Sequence, residues 1–416
     1  MTGLQTSPHC DVTRWWLKKI YDSMGAPNIR IAVGDGEPYP TDTDDAVATV
    51  RIDGWRTLAS LVLNPEIGFG EGYRDGRIDV PGDLVQFLQT TIASMPASAP
   101  GWCARLSSRW LYWLQANTRR GSARNIRHHY DLSADFYKLW LDAKLVYTCA
   151  YFPEANATLE RAQIAKMDHV CRKLQLQPGE HVVEAGCGWG ALALHMARHY
   201  GAKVTAFNIS HEQILVARDR AKREGLEKFV EFVEDDYRNI SGHYDAFVSV
   251  GMLEHIGRHN YETLGQVIHR TIGEEGRGLL HFIGRNRPHA FSPWIRKRIF
   301  PGAFAPSLAQ SLEVLESWNF SVLDVENLRL HYARTLEFWL ERFERAWDSV
   351  VNMYDLEFAR AWRLYLAGSI AAFRVGNLQL FQIVFAGANS RQLPWTRAHL
   401  YTDEGDEKDL WIRAIS

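Results

Sequence analysis

The run His181-Val-Val-Glu-Ala-Gly-Cys-Gly-Trp-Gly-Ala191, continued after an amphipathic segment by Lys203-Val-Thr-Ala-Phe-Asn-Ile-Ser-His-Glu-Gln213, reads as a strand, a glycine turn, a helix and a second strand. Gly186, Gly188 and Gly190 follow the apolar pair Val182–Val183, so the backbone turns tightly and approaches a ligand with no Cβ in the way. Leu192, Leu194, Met196 and Ala197 suit a helix whose first N–H groups face that same ligand, which makes the turn a nucleotide cradle. The spacing Gly186-x-Gly188-x-x-Ala191 also fits the dinucleotide pattern. Three features argue against it: the further glycine at Gly190, the acid Glu184 before the turn, and a second strand that ends in Asn208 where a nicotinamide enzyme needs a carboxylate for the ribose hydroxyls. The bland alternative is a glycine turn that only packs a helix on a sheet.

Outward from this unit the alternation is regular. Helices are expected at Leu159–Leu174, with Thr158 as cap, at His211–Glu224 and at Tyr261–Thr271, and strands near Val230–Val233, Ala246–Val250 and Leu279–Ile283. Strands alternating with helices imply an α/β, doubly wound parallel sheet. Helices at Leu308–Trp318, Thr335–Val351 and Phe358–Phe373 and an apolar strand Leu380–Phe385 complete the chain. Residues 1–100 read as a smaller α+β unit: a helical start at Arg14–Tyr21, an alternating stretch Ala46–Ile52, a helix-like run Trp55–Leu63, then Asn64-Pro-Glu-Ile-Gly-Phe-Gly-Glu-Gly-Tyr73 and a turn at Asp75-Gly76. Breaks at Pro96, Pro100 and Gly101 mark a linker.

The 416 residues carry a net charge of −2, so no global basic surface for nucleic acid exists and any attraction to anions must be local. Five scattered cysteines without Cys-x-x-Cys spacing suggest a reducing, cytoplasmic setting and no metal site. No apolar run is long enough to span a bilayer. From Leu84 to Tyr130 there is no Asp or Glu, while Arg105, Arg109, Arg119, Arg120, Arg124 and Arg127 alternate with Trp102, Trp110, Trp113 and leucines. That segment reads either as an interdomain helix or as an interfacial one touching anionic headgroups. Phe291–Gly302, with Arg296, Lys297 and Arg298 among bulky apolar residues, reads as a lid or entry loop, or as a structural insertion.

Specific motifs lie downstream: His129-Tyr-Asp-Leu-Ser133, Asp135-Phe-Tyr137, Tyr147-Thr-Cys-Ala-Tyr-Phe152, Gly186-Cys-Gly-Trp-Gly190, Ser249-Val-Gly-Met-Leu-Glu-His-Ile-Gly257, Pro293-Trp-Ile and Ile299-Phe-Pro-Gly302. With them the chain, from about His128 to its end, resembles the cyclopropane-fatty-acid synthases and the mycolic-acid cyclopropane synthases, which depend on S-adenosylmethionine. The resemblance implies a seven-stranded Rossmann-like methyltransferase sheet over residues 128–416, a basic Trp-rich linker at 101–127, and an N-terminal lipid-binding-like domain at 1–100, where Asn64–Gly76 is similar to the bacterial members. It places the methionine part of the cofactor at Tyr147, Thr148 and Gly186, Gly188 and Gly190, the ribose at Asn208 and Gln213, and the adenine at Asp236 and Tyr237. The amides can hydrogen-bond hydroxyls without adding a charge, and a carboxylate accepts from an exocyclic amine.

The implied reaction converts cis double bonds of phospholipid acyl chains to cyclopropanes. The alkene attacks an electrophilic methyl, and the resulting cation must lose a proton from that methyl in an apolar site. In the resemblance the base is a bound bicarbonate held by Cys149, Glu254, His281, Ile283 (through its backbone) and Tyr332. Taken singly, Cys149 also fits a small buried hydrophobe, His281 a satisfied core histidine and Tyr332 a solvent-facing residue. Two departures stand out: Ser369 where bacterial members often carry a cysteine, and Phe282 where a smaller polar residue is usual. The rival readings are a lipid C-methyltransferase giving methyl-branched or methylene products, and a non-catalytic lipid-binding protein on a methyltransferase fold. Peripheral contact with anionic membrane is expected, and a homodimer is left open.

Overall fold

Short apolar runs near the N-terminus pair into a small sheet: β1 (Arg30–Val33), β2 (Thr49–Ile52) and β3 (Ile78–Asp79), with β1 and β2 parallel and β3 antiparallel to β2. The structure, a computed structural model, describes residues 8–41, 45–95, 132–289, 291–391 and 393–401. The linker at 101–127 and most of the acid-free segment therefore lie outside the described residues. Two compact units emerge: one draws its described residues from Met1–Leu111, Ser292–Ile299 and Leu336–Asn377, the other from Tyr112–Phe291, Phe300–Thr335 and Leu378–Ser416. The first unit thus takes in two segments from the C-terminal half.

In that first unit the glycines of the Asn64–Tyr73 stretch belong to a helix, Pro65–Arg74, which Asn64 caps by accepting from the Ile67 N–H. Gly68, Gly70 and Gly72 are there for close approach: a Cβ at Gly68 would strike the Ser60 backbone, at Gly70 the Trp294 indole, and at Gly72 the Ile78 side chain. Trp294 lies buried on the short helix Pro293–Arg298, and Arg296 is buried with it. Glu71 accepts from Arg298 Nε at 2.8 Å and pairs with Lys297 at 3.2 Å, and these two cations pull its carboxyl down to about 2. Lys297 and Arg298 are thus tied through one carboxylate, Glu71, to their own unit.

The second unit is built on seven strands: β4 (His181–Ala185), β5 (Lys203–Asn208), β6 (Val230–Glu234), β7 (Ala246–Val250), β8 (Arg277–Gly284), β9 (Ser321–Asn327) and β10 (Gln379–Ala386). Their order is β6-β5-β4-β7-β8-β10-β9. The expected all-parallel sheet needs one correction: the first five strands are parallel, whereas β10 runs antiparallel to both its neighbours. The chain reaches β10 from the long helix Leu356–Arg374 and slots it between β8 and β9, so no right-handed crossover from a neighbouring strand dictates its direction.

Both faces of the sheet are covered, which is why the strands read as unbroken apolar runs. Val182 joins Leu192, Met196, Ile214 and Val248 on one side, while Val183 joins Phe247, Leu264, Ile268 and Phe282 on the other. Thr158 caps the helix Leu159–Lys173 as expected, accepting from the Arg161 N–H at 3.3 Å. Among the described residues no helix is long and apolar enough to cross a membrane.

Candidate active site

After β4 the chain turns through Gly186 (φ +85°), Gly188 (φ +53°) and Gly190 (φ +79°), all left-handed, before entering the helix Ala191–Tyr200. The three glycines do different work. A Cβ on Gly190 would collide with the Phe232 ring, and one on Gly186 would press on Met252, but one on Gly188 would meet nothing within 4 Å. Gly188 therefore faces open space. At the end of β5, Asn208 Nδ2 donates to the Gly188 carbonyl (3.2 Å) and to Gln213 Oε1 (2.7 Å), so the two amides and the turn form one linked edge. Beyond β6, Asp236 accepts from Arg238 Nε (2.8 Å) and Nη2 (3.0 Å), so both its oxygens are engaged, while the buried Tyr237 hydroxyl has no hydrogen-bond partner.

The segment Tyr147–Cys149 is held from several sides. Asp142 accepts from the Lys144 and Val146 N–H groups, fixing the turn in which Leu145 takes φ +56°. Tyr147 sits in an aromatic cluster with Tyr137 and Trp140, and Tyr137 also packs edge-on against Trp189 of the glycine turn. From the helix Leu159–Lys173, Gln163 Nε2 donates to the Thr148 carbonyl (2.9 Å) and Lys166 Nζ to the Thr148 hydroxyl (3.1 Å). Burial lowers the Lys166 ammonium to about 8 and raises the Glu184 carboxyl to about 7, with the Lys166 charge opposing the latter shift. The sequence reading passed over Gln163 and Lys166; the available signal was two polar residues on the inward face of an amphipathic helix.

Three of the five base positions converge on β8. Glu254, in the short helix Leu253–Ile256, accepts from the Ile283 N–H through Oε1 at 3.2 Å, while Oε2 is buried with no partner; burial raises this carboxyl to about 7. His281, two residues before Ile283, bonds through Nδ1 to Gln382 Nε2 of β10 at 2.9 Å. Its Nε2 is likewise buried and unpaired, and burial keeps the ring neutral by pushing it well below its usual range. Cys149 Sγ donates to the Ala150 carbonyl at 3.1 Å, and burial raises its thiol, so it is inert as a nucleophile. Tyr332 is buried on the helix Arg329–Arg345, whose His331 and Thr335 accept from the Phe152 and Ala150 N–H groups. Gln382, hidden in the apolar run Leu380–Phe385, was also missed; a polar residue inside a fully buried strand was its signal.

A seven-stranded sheet with a single reversed strand and a glycine turn after its central strand is the Rossmann-like architecture of S-adenosylmethionine-dependent methyltransferases. The family described as mycolic acid cyclopropane synthetase matches residues 117–383. A probable fatty acid methyltransferase of Pseudomonas putida is 33% identical over 90% of this chain and 96% of its own length. The cyclopropane-fatty-acyl-phospholipid synthase of Escherichia coli K12 is 36% identical over 82% and 88%. The solved mycolic acid cyclopropane synthase CmaA1, complexed with SAH and CTAB, superposes with a TM-score of 0.60 at 30% identity over 63% of this chain and 97% of that one. The chain belongs to the mycolic acid cyclopropane synthetase family. It is an enzyme, an S-adenosylmethionine-dependent lipid methyltransferase.

Proposed function

We propose that the protein transfers a methylene group from S-adenosylmethionine to cis double bonds of phospholipid acyl chains, closing cyclopropane rings with a bound bicarbonate as proton acceptor. The observation that carries this reading is two buried polar atoms without a hydrogen-bond partner among the described residues, Glu254 Oε2 and His281 Nε2, on residues that both meet β8: Glu254 through the Ile283 N–H, and His281 two positions before it. Leaving such atoms unsatisfied costs about 1–3 kcal/mol each. An ion with both a hydroxyl to donate and oxygens to accept suits a carboxylate acceptor together with an imidazole donor.

The open side of Gly188, the Asn208–Gln213 amide pair and the free Tyr237 hydroxyl fit S-adenosylmethionine, with Tyr147 and Thr148 on its methionine side. When bound, it supplies an electrophilic methyl on a sulfonium, so no protein nucleophile is required. The protein's part is to hold the alkene in line, exclude water from the cation, and remove one proton. Glu254 and His281 position the acceptor of that proton, and their burial keeps out the water that would quench the cation. Cys149 and Tyr332, both buried, would complete the set that holds it.

A second reading, a methyl-branched or methylene product, is favoured by the name of the Pseudomonas putida relative, a probable fatty acid methyltransferase. Mass spectrometry of lipids from a host expressing this chain separates the two. A 14 Da gain that survives catalytic hydrogenation as a ring supports cyclopropanation, and a methyl branch or methylene group at the former double bond contradicts it.

A further inference from the structure

His281 and Gln382 stand directly opposite one another in the antiparallel pairing of β8 with β10, and Gln382 stands opposite Glu326 in the pairing of β10 with β9. Opposed residues on neighbouring strands point to the same face. The result is a polar row across an otherwise apolar sheet interior. Its far end is saturated: Glu326 accepts from Lys173 Nζ at 2.7 Å and pairs with His169 Nε2 at 2.8 Å. Its near end is His281, whose Nδ1 meets the Gln382 amide nitrogen at 2.9 Å while Nε2 meets nothing.

We infer that Gln382 is a positioning residue that fixes the tautomer of His281, holding the ring proton on Nε2 so that the imidazole faces the reaction site as a hydrogen-bond donor and never as the base. In the orientation the structure shows, the Gln382 amide nitrogen donates to Nδ1 while its Oε1 is buried without a partner among the described residues, so Nδ1 is the acceptor and in a neutral ring the proton lies on Nε2; the flipped amide, with Oε1 on an Nδ1–H, is the arrangement that nitrogen-15 NMR distinguishes. A carboxylate at 382 would accept from Nδ1–H, turn Nε2 into an acceptor and leave the site with two acceptors, His281 and Glu254, and no donor between them. This also explains why a polar residue occupies a strand position that is fully buried: the amide orients the ring without placing another charge beside Glu326. The functional consequence rests on the proposed ring closure, whereas the tautomer itself does not.

The test is nitrogen-15 NMR of protein labelled at histidine, with the His281 signal assigned by its loss in His281→Asn, alongside ring-closure rates for Gln382→Leu and Gln382→Glu. The expected spectrum of the native chain shows a neutral ring protonated on Nε2. Gln382→Leu should release that preference and lower kcat by about 10- to 100-fold, the usual effect of losing an outer partner of a site histidine, with affinity for S-adenosylhomocysteine unchanged. Gln382→Glu should move the proton to Nδ1 and lower kcat at least as far. A native His281 protonated on Nδ1 overturns the inference without any variant having to fold, and so does a Gln382→Leu protein with native tautomer and native kcat. If ring closure proves indifferent to bicarbonate while the Nε2 proton is found and is lost in Gln382→Leu, the tautomer assignment stands and only the identity of the base falls.

Discussion

Glu254 is a carboxyl whose environment works against its charge. Its protonation midpoint rises from 4.5 to about 7 because burial disfavours the charged form, and the backbone N–H groups of Glu254 itself and Ile283 offset this only in part. A carboxyl with a raised folded-state midpoint stabilises the fold fully below its unfolded value and loses that contribution as pH climbs through the folded value. The window is therefore about 4.5 to 7, and at about 1.4 kcal/mol per unit the loss across it is about 3 kcal/mol. Glu254→Gln, which cannot ionise, should unfold at a higher urea midpoint than the native chain near pH 8 and at a similar one near pH 5, in bicarbonate-free buffer. An offset of equal size at both pH values contradicts the desolvation account. In turnover the same substitution removes the charge that orients the proton acceptor, so ring closure should fall by about two to four orders of magnitude, with cofactor affinity held. Cys149→Ser should be milder, since its thiol donates to the Ala150 carbonyl and a hydroxyl can do the same.

At the scale of elements, the glycine turn makes two contrasting predictions. Gly188→Val meets no neighbour but sets a β-branched residue at φ +53°, a backbone cost of about 1–3 kcal/mol that leaves the fold in place, and should abolish S-adenosylhomocysteine binding because that space is the one proposed for the ligand; calorimetry reads this directly. Gly190→Ala drives a methyl into Phe232 and Ala217 and should lower the thermal midpoint before it touches binding. Saturable binding of NADH in place of S-adenosylhomocysteine would contradict the cradle assignment.

This turn and the strand–helix order around it were legible because periodicity and glycine chemistry are local. What was not legible depends on partners distant in sequence. Ser321–Asn327 gave no strand signal, since β9 is an edge strand with several exposed positions and no clean alternation. The expected helix Thr335–Val351 is two helices, Arg329–Arg345 and Trp347–Met353. The Asn64–Tyr73 stretch carried no helix signal, because the neighbours that call for Gly68, Gly70 and Gly72, namely Ser60, Trp294 and Ile78, are set by tertiary packing. Glu254 and His281 were identified through family resemblance, because no local pattern announces a pair of unsatisfied atoms that only tertiary packing creates.

For the whole molecule, membrane contact remains a proposal, and its electrostatics shift away from Arg296, Lys297 and Arg298. With Lys297 and Arg298 sharing Glu71 and Arg296 buried, changing the three to glutamine should destabilise their own unit and lower the affinity for anionic vesicles by less than the same change at three unpaired surface cations. The better candidates are the acid-free Leu84–Tyr130 segment and the helix Pro8–Ser23, where Trp15 is 55% exposed and Lys19 lies over the Trp15 and Trp16 rings. Vesicle sedimentation should weaken with salt and with Trp15→Ala; sedimentation equal on anionic and neutral lipid contradicts the electrostatic part. The central claim, that this enzyme closes rings through a proton acceptor held by Glu254 and His281, is tested most directly by turnover on unsaturated phospholipid vesicles with bicarbonate depleted and then restored. The account predicts cyclopropane formation that falls on depletion, returns on restoration, and does not return in Glu254→Gln. A native rate indifferent to bicarbonate, with Glu254→Gln still closing rings at near-normal speed, would contradict it.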